Sequence, residues 1–368
     1  MITKNGGLFY GTLIDSGTLS SVLKDYQNNL ISSNVTCARS DSSGNSVASF
    51  NNRFDYTSLR TFCRIGYSDE SATINDYALG NELDDNNVNI NDVVICSNAR
   101  REVNSFIPTT NYDVGLPSDG TMCYIFTFYN NTDNDIKFYE IGLFVNNDGS
   151  APTHPFMTAR NVNKNGWTIK AREDITMIIE LNFAGGNGLV NQGGRYFSNL
   201  FLTNAGMYGF KTVAGSVPSG TIAAVPSGST ANTQATTTTS TGSASPRGVF
   251  IRIGVGRNET NKEDYKLEEE TVEGTNLNNV ISLSSAILNV NRTDTGSWDY
   301  EYTISNPSEG DITFYEVGLF NRQGNGTIML GRIVNDTGWI VRAGGVLNFT
   351  YKVTLCGATN SDEADPEI

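Results

Sequence analysis

Residues 135–144 read DIKFYEIGLF and residues 311–320 read DITFYEVGLF, and eight of the ten positions are identical. A match that dense marks an internal repeat, which constrains the fold before any composition is weighed. It extends in both directions. Arg64-Ile65-Gly66 precedes Asp76-Tyr77-Ala78-Leu79 by the interval that separates Arg252-Ile253-Gly254 from Asp264-Tyr265-Lys266-Leu267. Downstream, Arg160 precedes Trp167, and Arg332 precedes Trp339, by seven positions each. The closing runs ITMIIELNF (175–183) and LNFTYKVTL (347–355) also align. The copies therefore run from about 62 to 183 and from about 249 to 355, and a chain of 368 residues has room for two ordinary domains.

Short runs rich in Tyr, Phe, Val, Ile and Thr, broken by Asn, Asp and Gly, predict β-strands. In the signature strand Tyr139, Ile141 and Leu143 face one way, and Phe138, Glu140, Gly142 and Phe144 the other. Apolar groups on both sides predict a strand covered on both faces, apart from one carboxylate. The preceding strands are TMCYIFTFYN (121–130) and WDYEYTISN (298–306), and the turn residues after them predict tight hairpins into the signature strands. The expected fold is all-β: two tandem homologous β-sandwich domains, 62–183 and 249–355. Around them lie an N-terminal arm (1–61), an inter-domain segment (184–248) and an acidic tail (356–368). Within the arm, Leu19, Val22, Leu23, Tyr26 and Leu30 fall near helical spacing and predict a short amphipathic helix over 18–31. The first part of the inter-domain segment mixes glycine with aromatics and suggests a hairpin or an adhesive loop. The rest, uncharged and rich in Thr, Ser, Gly and Ala, has linker composition.

A formal net charge of −14 without any basic run argues against nucleic acid and against anionic membrane as partners. The N-terminus lacks the apolar core of a secretory signal, and no stretch has the length of a membrane span, so synthesis and folding in a cytoplasm are expected. Cys37, Cys63, Cys96, Cys123 and Cys356 are odd in number, widely spaced and without a C-x-x-C pair. They predict reduced, mostly buried thiols, with a disulfide between distant cysteines left open for oxidising surroundings, and no metal site.

No catalytic residue and no cofactor is expected. Glu140 and Glu316 recur, but glycosidase chemistry needs two carboxyl groups about 5–10 Å apart across one sugar, and these belong to separate copies. Each is expected to pair inside its own copy, with Arg160 and Arg332 as partners. The acidic runs 263–273 and 81–85 lack the oxygen spacing of a calcium loop, and His154, the only histidine, sits beside two prolines in an insertion absent from the second copy. The glycine-rich 184–194 segment lacks the lysine and following helix of a phosphate loop. Trp167 and Trp339 are assigned to the core, the alternative being stacking on sugars. Tyr196, Phe197, Phe201, Tyr208 and Phe210 are candidate partner-binding aromatics.

The series R-I-G, D-Y-x-L, E-(I/V)-G-L-F, Arg and a terminal hydrophobic strand resembles a module of tailed-bacteriophage virion proteins, over 62–183 and 249–355 only. It departs in detail: a glycine-threonine run after R-I-G is replaced here by YSDES (67–71) and VGRNE (255–259). The resemblance implies a non-enzymatic virion component assembled in the host bacterial cytoplasm. It would be capsid-associated, of decoration or head-fibre type, binding neighbouring virion subunits and homo-oligomeric in the particle. The alternative is a tail or baseplate receptor-binding protein recognising host surface carbohydrate.

Overall fold

The structure, a computed structural model, describes residues 1–13, 18–19, 21–31, 35–36, 60–103, 121–146, 155–183, 189–200, 211–216, 249–284, 287–293, 297–323 and 326–355. Its regular elements are mostly strands in antiparallel sheets. The first half contains α1 (Lys4–Leu13), β1 (Thr18–Leu19), β2 (Val35–Thr36), β3 (Arg60–Gly66), α2 (Ile90–Val93), β4 (Val94–Val103), β5 (Thr121–Asn130), β6 (Ile136–Asn146), β7 (Phe156–Ile169) and β8 (Asp174–Asn182). The second contains α3 (Asn191–Leu200), β9 (Val249–Gly254), β10 (Thr271–Val272), β11 (Thr275–Asn276) and a 3-10 turn at Leu277–Asn279. It continues with β12 (Ser282–Leu283), β13 (Ile287–Val290), β14 (Trp298–Ser305), β15 (Ile312–Gln323), β16 (Gly326–Val341) and β17 (Val346–Val353).

Strand pairing repeats between the halves. β6 lies between β3 and β7, as β15 lies between β9 and β16. β5 lies between β4 and β8, as β14 pairs with β17 on one side and with β12 and β13 on the other. Even the irregularities recur: β6 and β7 slip register at Phe138/Glu140 and Leu143/Phe144, and β15 and β16 at Phe314/Glu316 and Leu319/Phe320. Residues 140–145 are buried without a break, so the signature strand is covered on both faces, as its apolar groups on both sides predict.

Side-chain period explains which faces close. Along β14, Trp298, Tyr300, Tyr302 and Ile304 are buried and alternate with Asp299, Glu301, Thr303 and Ser305 toward solvent. On β5, Phe126 and Phe128 turn inward in the same way. Buried residues of both sheets in both halves join one continuous hydrophobic cluster.

The structure corrects three expectations. The segments 130–135 and 306–311 are not hairpin turns, because β5 and β6 belong to different sheets, as do β14 and β15. Each is a corner held by an asparagine: Asn130 donates to the carbonyls of Asn134, Ile169 and Lys170, and Asn306 to those of Gly310 and Val341. Turn-forming residues serve a hairpin and a corner equally well. The helix expected over 18–31 is absent; residues 24–30 form a hairpin loop closed by a Lys24–Leu30 bridge, in which Asp25 accepts the amides of Gln27 and Asn29. Those local bonds outcompete the helix, leaving Tyr26 and Leu30 exposed. The region expected as a hairpin or loop after 184 instead holds helix α3.

The repeat also reaches further than the sequence match. Ile2 bridges Ala159 and Leu189 bridges Gly331. The Thr3 amide donates to Thr158 at 3.1 Å, and the Val190 amide to Leu330 at 3.1 Å. Asn5 accepts the amide of Lys24 and Gln192 that of Lys211. The Lys24 ammonium lies 5.7 Å from the centre of the Tyr77 ring, and Lys211 lies 3.9 Å from that of Tyr265. The nominal arm and inter-domain segment thus each contribute a helix that docks on its half in one manner. Helix α3 also approaches β4 and β5 of the first half. Among the described residues, no helix is long and apolar enough to cross a membrane.

Candidate functional site

Among the described residues, a buried Glu–Arg–Asp cluster is present once in each half. Glu140 on β6 is fully buried. Its carboxylate accepts the amides of Ser68 (3.2 Å), Gly80 (2.9 Å) and Asn81 (2.9 Å), and Arg160 Nε on β7 at 2.8 Å. Arg160 also donates through Nη1 to Asp76 (2.8 Å) and through Nη2 to the Glu70 carbonyl (3.2 Å). Asp76 is held in turn by the amide and hydroxyl of Thr73.

The second half reproduces this. Glu316 accepts the amides of Gly256 (3.2 Å), Glu268 (3.1 Å) and Glu269 (3.0 Å), and Arg332 Nε at 2.7 Å. Arg332 Nη1 reaches Asp264 at 2.9 Å. Here Glu268 stands 3.5 Å from Arg332 Nη2, where the first half uses a backbone carbonyl.

Electrostatics follow from burial and partners. Burial alone would lower the pKa of Arg160, but Asp76 and Glu140 outweigh it and hold the guanidinium charged; Asp264 and Glu316 do the same for Arg332. Burial alone would raise the Asp76 carboxyl. The Thr73 hydroxyl and amide, with Arg160, outweigh it and hold Asp76 below the usual aspartate value.

The repeated motifs serve this cluster almost letter for letter. Gly66 of R-I-G leaves room for the carboxylate, since a Cβ there would lie 2.5 Å from Glu140 Oε1; at Gly254 it would lie 2.5 Å from Glu316 Oε1. The arginines before them pair elsewhere, Arg64 with Glu82 and Arg252 with Glu270. The leucine of D-Y-x-L joins a small apolar cluster with the motif phenylalanine: Leu79 with Phe144 and Met157, and Leu267 with Phe320 and Met329. The whole device clamps the loops 67–81 and 255–269 onto the signature strand. With four donors on each carboxylate, no acceptor position stays open for a substrate proton, which suits a fastener better than an acid–base catalyst.

The structure therefore joins Glu140 to Arg160 and Glu316 to Arg332, and leaves the two glutamates in separate clusters. The sequence points to those four residues but not to Asp76, Asp264, Gly66 or Gly254 as cluster members, although these too recur at equal spacing in both copies. Trp167 is half-buried against Phe138 (ring centres 5.3 Å apart), and Trp339 against Phe314 (5.3 Å) and Phe349 (5.4 Å). Of the candidate partner-binding aromatics, Phe197 is buried, edge-on to Trp298 at 5.1 Å, and so presents nothing to a partner. The amphipathic turn of α3 carries it inward. Phe201, Tyr208 and Phe210, and the side chain of Tyr196, lie outside the described residues, as do His154, Cys37 and Cys356 and the side chain of Cys123. Cys63 is buried, whereas Cys96 is exposed. Among the described residues, no group of three or more His, Cys, Asp or Glu is placed to hold a metal ion.

Comparison with protein families, with curated proteins and with solved structures found no match for this chain.

Proposed function

We propose that the chain is a non-enzymatic structural component of a tailed-bacteriophage virion, built from two tandem β-sandwich domains, each sealed by its own helix. Its place is on the capsid, as a decoration or head-fibre protein, bound to neighbouring virion subunits and to other copies of itself. The observation that carries this reading is the duplicated clamp. Both copies commit their shared charged residues to fastening a loop over the same strand, so the repeated motif serves construction in each. A scaffold repeated in this way supports binding through what differs between copies, namely loops and connecting segments. The motif series that resembles virion modules includes these clamp residues, and the acidic charge suits a soluble surface subunit assembled in a bacterial cytoplasm.

The test uses particles of the phage whose genome encodes the chain, purified by density gradient and labelled with antibody against the protein. Label over the head in electron micrographs is the expected result. Label at the tail tip would replace the capsid assignment with receptor binding, and recovery of the protein only in the unassembled fraction would remove the virion reading.

A further inference from the structure

The tripeptide Lys-Asn-Gly occurs twice, as Lys4-Asn5-Gly6 and as Lys164-Asn165-Gly166. An asparagine before glycine is chemically labile in a free chain, because glycine has no Cβ to shield its nitrogen from the preceding carboxamide carbon. The two tripeptides are identical, so the fold is what separates them. Asn5 lies in α1 and is buried; its carboxamide donates to the Lys24 carbonyl at 2.8 Å and accepts the Lys24 amide at 3.1 Å. The Gly6 amide, the nitrogen that would attack, is tied to Thr3 Oγ1 at 3.2 Å. Both reacting groups are thus held inside the fold. The other Asn-Gly pairs, at 187–188 and 325–326, have asparagines that lie outside the described residues.

Asn165 stands in the opposite setting. Phe138 pairs with Trp167 and Glu140 with Val162, so residues 163–166 bulge out of the ladder against the single residue Tyr139. Lys164 and Asn165 are exposed on that excursion, and Gly166 turns the chain back at φ +74°. Asn163 holds its shape, accepting the Asn165 amide at 2.9 Å and donating to the Gly166 carbonyl at 3.3 Å. The Asn165 carboxamide has no hydrogen-bond partner among the described residues. The second half builds the same excursion: Asn335 accepts the Thr337 amide at 3.1 Å and donates to the Gly338 carbonyl at 3.3 Å. There Thr337 takes the place of Asn165, and its hydroxyl donates to Asn335 at 2.7 Å. Threonine has no carboxamide, so the matching position of the second half is inert to this chemistry.

We propose that Asn165 is a modification site, converting spontaneously to aspartate and isoaspartate in the folded protein, while Asn5 is protected. The Gly166 main-chain nitrogen gives up its proton and attacks Asn165 Cγ. A bond forms between that nitrogen and Cγ, the bond from Cγ to the carboxamide nitrogen breaks, and ammonia leaves with an equivalent proton. Water then opens the resulting succinimide. Opening at Cγ gives aspartate, and opening at the main-chain carbonyl gives isoaspartate, with the chain rerouted through the side chain. In sum one water is consumed, one ammonia is released and nothing is oxidised or reduced. Either product places a negative charge beside the exposed Lys164, and isoaspartate also lengthens the excursion next to Trp167 by one carbon. The inference stands apart from the virion reading, since it uses only this excursion.

The experiment incubates the full chain for days in mildly alkaline buffer, folded and in parallel unfolded in urea, and then digests it with trypsin. Asn5–Lys24 and Asn165–Lys170 are separate peptides that both begin Asn-Gly, so conversion during digestion affects them alike. The aspartate and isoaspartate forms are heavier than the parent peptide by the exchange of NH2 for OH, and chromatography resolves them from each other. The rates in urea, where both sites are released from the fold, set the chemical reference. Relative to that reference, Asn165 should convert at least about tenfold faster than Asn5 in the folded protein, because Asn5 reacts only when α1 opens. A folded-state ratio no greater than the ratio in urea would overturn the proposal. So would an Asn165 that converts in urea and stays intact in the folded chain.

Discussion

Arg160 Nε stands 2.8 Å from Glu140 Oε2 inside the first half, and Arg332 Nε stands 2.7 Å from Glu316 Oε2 inside the second. Breaking one member of such a pair strands a buried charge, which costs about 3–5 kcal/mol. Glu140→Gln and Glu316→Gln should each destabilise by that order in urea titrations. Replacing Glu140 and Arg160 together by leucine should cost clearly less than the two single changes added, because neither then strands the charge of the other. The clusters lie in different halves, so the double variant Glu140→Gln/Glu316→Gln should show the two losses in sum.

Asp76 gives the clamp a pH signature. Its folded pKa is depressed relative to about 3.9 in the unfolded chain, so its contribution is fully present above that value and is lost as pH falls through the lower folded value. Asp133, Asp135 and Asp311 are also depressed, through Arg172, through Lys170 with the Ala171 amide, and through the Ala343 amide with Arg342, and they share the acid slope. Comparison with Asp76→Asn isolates the one residue. The variant should be less stable at pH 7, and the gap to the parent should narrow as pH falls below the usual aspartate range, as followed by thermal melts across pH. Parallel curves down to pH 2 would remove Asp76 from the clamp.

What the sequence made legible was the part written as matched letters. The strands around DIKFYEIGLF and DITFYEVGLF, and the partners of Glu140 and Glu316, follow from residues that recur at equal spacing. The helical elements did not follow, because their equivalence rests on backbone contacts that many residues can make. Ile2 and Leu189, or Asn5 and Gln192, occupy matching places with little shared identity beyond the Gly-Gly pair. The corner at Asn130 reads as a hairpin from the sequence because local turn chemistry does not reveal which sheet the next strand joins. Helical spacing of Leu19, Val22, Leu23, Tyr26 and Leu30 was likewise a local signal, overridden by the carboxylate of Asp25.

Phe197 anchors α3 in the core beside Trp298, and both side chains are fully buried. Truncation to alanine should cost about 3–5 kcal/mol, the range for a buried Phe. Loss of the edge-to-face ring should also alter the environment of Trp298, read as a change in near-ultraviolet circular dichroism. A surface aromatic kept for partner binding would lose little stability on the same change, so the measurement separates the two roles.

Gly6 and Gly193 are where the helices meet their strands. A Cβ at Gly6 would lie 2.0 Å from the Thr158 carbonyl oxygen, and one at Gly193 would lie 1.7 Å from that of Leu330. The carbonyls belong to strand backbone, which cannot rotate away as a side chain could. In an unconstrained helix Gly→Ala stabilises by about 1 kcal/mol, so the sign of the change is diagnostic. Gly6→Ala and Gly193→Ala should instead destabilise by roughly 1–3 kcal/mol, as overpacked contacts do. Because each helix also holds buried aromatics, Phe9 and Tyr10 on α1 and Phe197 on α3, displacement should expose apolar surface. Limited proteolysis should then cut near residues 4–13 in Gly6→Ala and near 191–200 in Gly193→Ala, before the strands are attacked. A gain in stability in either variant would mean that the helix does not dock against its strand, and would dissolve the equivalence of the two helical segments.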